Sequence, residues 1–64
     1  MLVNGKDMNF DDEITVYELL DKMNIESSQV VVEVDLEILD KDEYKQKKLS
    51  SESKVEVVRF VGGG

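Results

Sequence analysis

A chain with neither cysteine nor histidine must hold itself together without a disulfide or a zinc centre, and these 64 residues contain none of either. At that length a fold buries only about 60% of the surface its unfolded chain exposes, so small domains lean on cross-links, metals or dense packing. Packing alone is left here. A single core is therefore required, because a second could not be filled. The material for one is present: 41% of the residues are hydrophobic, and ten are valine, a residue that favours strands. The same absences narrow the chemistry. There is no thiolate nucleophile, no imidazole base and no Cys- or His-based metal site.

Charge narrows the partners. The net charge is −7, and it is unevenly spread. Residues 7–43 hold thirteen carboxylates against Lys22 and Lys41, whereas residues 44–64 hold Lys45, Lys47, Lys48, Lys54 and Arg59 against Glu52 and Glu56. Nucleic acid and anionic membranes both need clustered Lys and Arg, so neither is an expected partner. An acidic side of this kind instead steers a protein towards a basic cleft. Met1 to Lys6 carries no basic leader ahead of a long apolar run. The longest purely apolar stretch is Val30-Val31-Val32, far short of a membrane span. The expected location is cytoplasmic.

Periodicity supplies the elements. Asn4-Gly5 is a strong hairpin signal, both positions tolerating positive φ, and it joins Met1–Val3 to an alternating stretch at Met8–Phe10. After the polar break Asp11-Asp12-Glu13, Thr15 stands three residues before Glu18 in a capping box. Val16, Leu19, Leu20 and Met23 then form one apolar helical face, with Asn24 as the stop. Two helical turns do not persist alone, so this helix must lie on a sheet. Val30–Val34 reads as a strand with Val30, Val32 and Val34 on one face, and Ile38-Leu39 as a short one. Asp40 and Glu43 predict a capped turn carrying Tyr44. Lys54–Val61 is the longest strand signal, with Val55, Val57, Arg59 and Val61 on one face and Glu56, Val58 and Phe60 on the other.

The predicted class is α+β: among small α+β arrangements the element order fits a ubiquitin-like β-grasp fold, with a four- to five-stranded mixed sheet and one main helix packed on one face. Its first and last strands are expected to lie parallel in the middle. The domain is expected over residues 1–61, with a flexible glycine tail over residues 62–64. Gly62, Gly63 and Gly64 follow the last strand directly. Glycine loses more conformational entropy than other residues when ordered, so such a tail adds nothing to folding. Lacking Cβ atoms, it can enter a narrow channel and present a carboxylate to another enzyme.

Placed after this element order, the chain resembles the ThiS family of small sulfur carriers of thiamin biosynthesis. The matching segments are Val3-Asn4-Gly5-Lys6, Thr15-Val16-Tyr17-Glu18-Leu19-Leu20, Val30–Val34, and Lys54 through Phe60-Val61-Gly62-Gly63-Gly64. Asp35-Leu36-Glu37 and Ser53-Lys54 depart from the family's habitual turns. The resemblance implies that the protein is a carrier and no enzyme. An E1-like adenylyltransferase, using ATP and Mg, converts the Gly64 carboxylate into an acyl-adenylate. A persulfide sulfur donor then yields a thiocarboxylate, which a thiazole synthase consumes. No cofactor is implied on this chain itself. The same glycine terminus would also serve a carrier for molybdopterin or another thiolated product, a protein modifier, or a non-covalent interaction module.

Gly64 is thus the expected covalent carrier residue, with Gly62 and Gly63 threading into partner sites. Val58 and Phe60 are candidates for an apolar docking patch, with Phe60 alternatively in the core; Arg59 is a candidate contact beside the tail. The acidic groups at 11–13 and 40–43 lack calcium-loop spacing and are read as caps and solvated surface, so no metal is expected. Tyr17 and Tyr44 are expected at the core edge with wet hydroxyls.

Overall fold

Asn4 and Gly5 take φ of 52° and 80°, so the first hairpin turns through two left-handed residues, as a tight two-residue loop demands. In the computed structural model, which describes residues 1–10 and 13–60, this turn joins β1 (Leu2–Val3) to β2 (Lys6–Asp7). The pairing is antiparallel, Val3 opposite Lys6. The second strand therefore lies nearer the turn than the Met8–Phe10 alternation suggested. Met8 still donates its N–H to the Met1 carbonyl at 2.8 Å, and Met8 and Phe10 rest half-buried against the core.

Thr15 caps the helix as its spacing predicts. The Glu18 N–H donates to Thr15 Oγ1 at 3.1 Å, and the Thr15 N–H donates to Glu18 Oε1 at 2.8 Å. The two N–H groups ahead of Glu18 find backbone acceptors: Val16 bonds the Lys47 carbonyl and Tyr17 the Tyr44 carbonyl. No donor of the first turn is orphaned. Helix α1 (Val16–Lys22) ends where Asn24 takes φ of 58°. Ile25 N–H reaches the Leu20 carbonyl and Asn24 N–H that of Asp21, the paired bonds of a Schellman motif. Val16, Leu19 and Leu20 are buried on its inner face.

Ile14–Thr15 (β3) pairs antiparallel with Lys48–Leu49 (β6), a two-residue ladder that pins the entry of α1 to the loop before the last strand. β4 (Val30–Val34) and β5 (Glu37–Ile38) come between them in the chain, and β7 (Lys54–Arg59) follows. The five-stranded sheet has the order β2-β1-β7-β4-β5. β1 runs parallel to β7 at its centre, and β4 and β5 complete it antiparallel. Asn4 extends the parallel ladder with its side chain, Oδ1 accepting the Val57 N–H at 2.7 Å. Beneath α1, Val3, Val30, Val32, Val34 and Val55 face the helix with Met1, Ile14, Tyr44 and Leu49.

The short strand falls at Glu37–Ile38 because Asp35 and Leu36 both adopt positive φ, 50° and 72°, closing a two-residue turn between Val34 and Glu37. Glycine or asparagine fits these angles without strain; leucine does not. Leu36 is also 89% exposed.

Tyr44 corrects its expected place. It is only 2% exposed, carried inward by the 3₁₀ turn Lys41–Glu43, where Asp40 N–H bonds Glu43 Oε1 at 2.9 Å. Its hydroxyl accepts the Val32 N–H at 3.2 Å and donates to the Val30 carbonyl at 3.4 Å. One phenol thus replaces a neighbouring strand where β5 has stopped. Burial pushes this phenol above its usual pKa, with the Val32 N–H working the other way. A raised folded value leaves stability intact below about pH 10, the ordinary tyrosine value, and erodes it as pH rises through the folded pKa. Thermal melts from about pH 8 to 11 should show this alkaline loss. Tyr44→Phe should flatten that limb while lowering stability at pH 8 by about 1 kcal/mol, since the Val32 N–H loses its acceptor.

Candidate functional site

The sequence places its unusual group beyond β7, so the end of that strand is where the site is built. Five cross-strand positions tie β7 to β4, from Val34 opposite Val55 to Val30 opposite Arg59. The ladder extends one residue further: Phe60 N–H donates to the Gln29 carbonyl at 3.1 Å. Arg59 adds a weak side-chain bond, Nη1 to Gln29 Oε1 at 3.4 Å. Residues 58–60 are therefore held by backbone and side chain alike. Gly62, Gly63 and Gly64, with Val61, lie outside the described residues, as do Asp11 and Asp12.

Val58 is 59% and Phe60 55% exposed, so Phe60 is no core residue. Alternation along β7 puts Val58 on the sheet face opposite α1, beside Val31 of β4. Leu2 and Ile38, both exposed, belong to the same face by register. One row up, Glu33 sits directly opposite Glu56. Like charges so placed repel by a few tenths of a kcal/mol. Among the described residues the sole ion pair is the N-terminal ammonium with Asp7, at 3.7 Å, so no cation neutralises this pair at close range. The open face thus combines apolar groups with Glu33 and Glu56, and with Lys54 two residues before Glu56 on the same face.

Lys41 was not singled out by any sequence pattern. Its ammonium donates to the Ser27 carbonyl and lies 5.2 Å from the centre of the Phe60 ring and 5.7 Å from that of Tyr44. Gln29 was likewise missed. The only signal was indirect: both residues belong to polar turns flanking strands, where a side chain's reach cannot be read from spacing.

A hollow of about 300 Å³ is lined by Met1, Met8, Phe10, Leu49 and short polar residues, with Glu13 the one ionisable side chain among the described residues that line it. Among the described residues no group of three or more carboxylates gathers to hold a cation. No described helix is long and apolar enough to cross a membrane.

A helix crossing a mixed sheet whose first and last strands are parallel neighbours defines a β-grasp domain. The chain belongs to the ThiS family, the sulfur carriers of thiamine biosynthesis, matching it over residues 1–64. It is a carrier protein and not an enzyme. It is 38% identical over 63 residues to the sulfur carrier protein ThiS of Bacillus subtilis, covering 97% of this chain and 96% of that one. It is 39% identical over its whole length to part of a thiazole synthase of Paramagnetospirillum magneticum, and spans 20% of that longer protein. The crystal structure of the thiamine biosynthesis protein ThiS of Geobacter metallireducens superposes with a TM-score of 0.84 at 30% identity, covering 98% of this chain and 96% of that one. The solution structure of a thiamine biosynthesis protein from the same organism gives 0.80 at 30% identity, covering 98% and 85%.

Proposed function

We propose that Gly64 is the residue on which the sulfur is carried. In this reading an E1-like adenylyltransferase binds ATP and Mg, and the Gly64 carboxylate attacks the α-phosphorus, releasing pyrophosphate. A carboxylate oxygen is a poor leaving group and AMP a far better one, so the acyl-adenylate is open to attack. The terminal sulfur of a persulfide displaces AMP; a thiol then takes the remaining donor sulfur into a disulfide and leaves a thiocarboxylate on Gly64. The observation that carries the reading is the family match, which runs through the last strand to residue 64. Glycines suit the task, since a thread without Cβ atoms passes where other residues clash.

A thiazole synthase is the proposed acceptor. Support comes from the Paramagnetospirillum magneticum relative, in which a segment like this chain forms part of a protein named thiazole synthase. Covalent linkage of two partners is a common way to raise their effective concentration. Docking is assigned to the open sheet face through Val58 and Phe60, with Arg59 at its margin. The Glu33–Glu56 pair favours partners that present a basic group there. The proposed site of action is the cytoplasm, where ATP is available.

The deciding experiment incubates the protein with the cognate adenylyltransferase, ATP, Mg and a persulfide donor, then measures intact mass. Exchange of one oxygen for sulfur at the C-terminus is expected. A plain carboxylate under conditions that convert the Bacillus subtilis carrier would refute the assignment. In the same assay Val58→Asp should raise KM roughly tenfold, the loss of one apolar anchor being worth about 1–2 kcal/mol; an unchanged KM removes docking from this face.

A further inference from the structure

Lys41 is an exposed lysine in a short turn, yet its ammonium reaches three separate parts of the fold. It bonds the Ser27 carbonyl at the turn before β4, and it stands near the rings of both Tyr44 and Phe60. Tyr44 is fixed in the core by its hydroxyl bonds to β4. Phe60 is half exposed and tied by a single backbone hydrogen bond, to Gln29, in the same 3₁₀ turn (Ser27–Gln29) that Lys41 grips. The ammonium therefore links a rigid anchor to the last described residue before the glycines.

We propose that Lys41 is a positioning residue for carrier activation: by holding the Ser27–Gln29 turn and the Phe60 ring together, it sets where the carrier segment joins the sheet. This rests on the reading that Gly64 is the residue activated. The physical argument is one of preorganisation. A partner must receive the segment after Phe60 in one register. Each side chain that has to be immobilised on binding weakens association, and ordering it beforehand removes that loss. A cation within about 6 Å of an aromatic centre at an exposed site contributes enough to change an equilibrium roughly two- to fivefold. Lys41 acts on Phe60 and touches no reacting atom, so its loss should alter how well the carrier is received rather than how fast the bound carboxylate reacts.

The test compares wild type, Lys41→Met and Lys41→Arg. Methionine keeps the stem and removes the cation; arginine restores it. Adenylylation is followed as pyrophosphate–ATP exchange against carrier concentration with the cognate adenylyltransferase. In parallel, ¹⁵N relaxation on the free protein gives order parameters for the Phe60 and Arg59 amides. Lys41→Met should raise KM about two- to fivefold with kcat within about twofold. It should lower the order parameter at Phe60 while leaving those of α1 and the melting temperature unchanged, and Lys41→Arg should restore both. In a Phe60→Leu background, which removes the ring, Lys41→Met should add no further rise in KM. An unchanged order parameter at Phe60 overturns the proposal whatever the kinetics show. A drop in kcat at constant KM overturns it too, as does an undiminished Lys41 effect without the ring. If wild type itself is not adenylylated, the carrier reading fails on its own account, and the Phe60 order parameter still decides whether Lys41 holds this strand end.

Discussion

Deletion of Gly64 is expected to abolish sulfur exchange while leaving the melting curve of the domain unchanged. The two halves of this result have separate causes. Among the described residues the buried core runs from Met1 to Val55, and the outermost hydrogen bond that closes the sheet is donated by the Phe60 N–H. Both lie before the glycines. Chemistry, by contrast, is assigned to one α-carboxylate, and deletion moves that group one residue closer to the sheet, about 3.5 Å of extended chain. Misplacement of this order is severe for a reaction that depends on alignment, since a shift near 1 Å already costs on the order of a hundredfold. Intact mass after incubation with the adenylyltransferase, ATP and donor reads the first half, and circular dichroism against temperature the second. Exchange persisting in the shortened chain would move the carrier role off Gly64. A lowered melting temperature would instead make the terminal residue part of the fold.

Leu19→Ala is expected to unfold a large share of the molecules at room temperature. Leu19 is fully buried, and it shares the inner face of a seven-residue helix with only Val16 and Leu20. Truncating a leucine in such a site costs about 2–5 kcal/mol, from lost transfer energy and the cavity left behind. Cores below 70–80 residues rarely supply more than about 3–5 kcal/mol, and no disulfide supports this one. Urea unfolding followed by circular dichroism measures the loss. Leu36→Ala is the control. That side chain is 89% exposed and strained in its turn, so its truncation should change stability by less than about 0.5 kcal/mol. A Leu19→Ala protein as stable as this control would mean that α1 is not the lid of the core.

Where local chemistry and periodicity agreed, the fold was legible in the residues. Asn4-Gly5, the Thr15–Glu18 box, the Asn24 stop and the valine alternation of Val30–Val34 each have one favourable structural answer, and each adopts it. Two-residue strands carry no period, so the Ile14–Leu49 ladder had no signature to detect. Ile38-Leu39 shifted to Glu37–Ile38 because the turn at Asp35-Leu36 has two residues, a length its unusual leucine concealed. Tyr44 was misplaced for a similar reason. A tyrosine after a polar turn reads as peripheral, and only the early end of β5 reveals the backbone groups its hydroxyl must satisfy. At the site, strand alternation put Val58 and Phe60 on one face but left Phe60 between that face and the core, and its 55% exposure decides for the face. Lys41 was not legible, because a cation's reach across three loops is a tertiary fact.

The central place of β7 has a consequence for how the molecule comes into being. Both β1 and β4 pair with a strand that comes after every other described element in the chain. Until residues 54–59 exist, the N-terminal hairpin and the valine strand have no common neighbour, and the sheet stays open. Contacts this distant in sequence form late and together. A chain shortened before residue 54 therefore has no closed sheet to offer a partner. The sheet is closed by the same few residues that lead to the glycines.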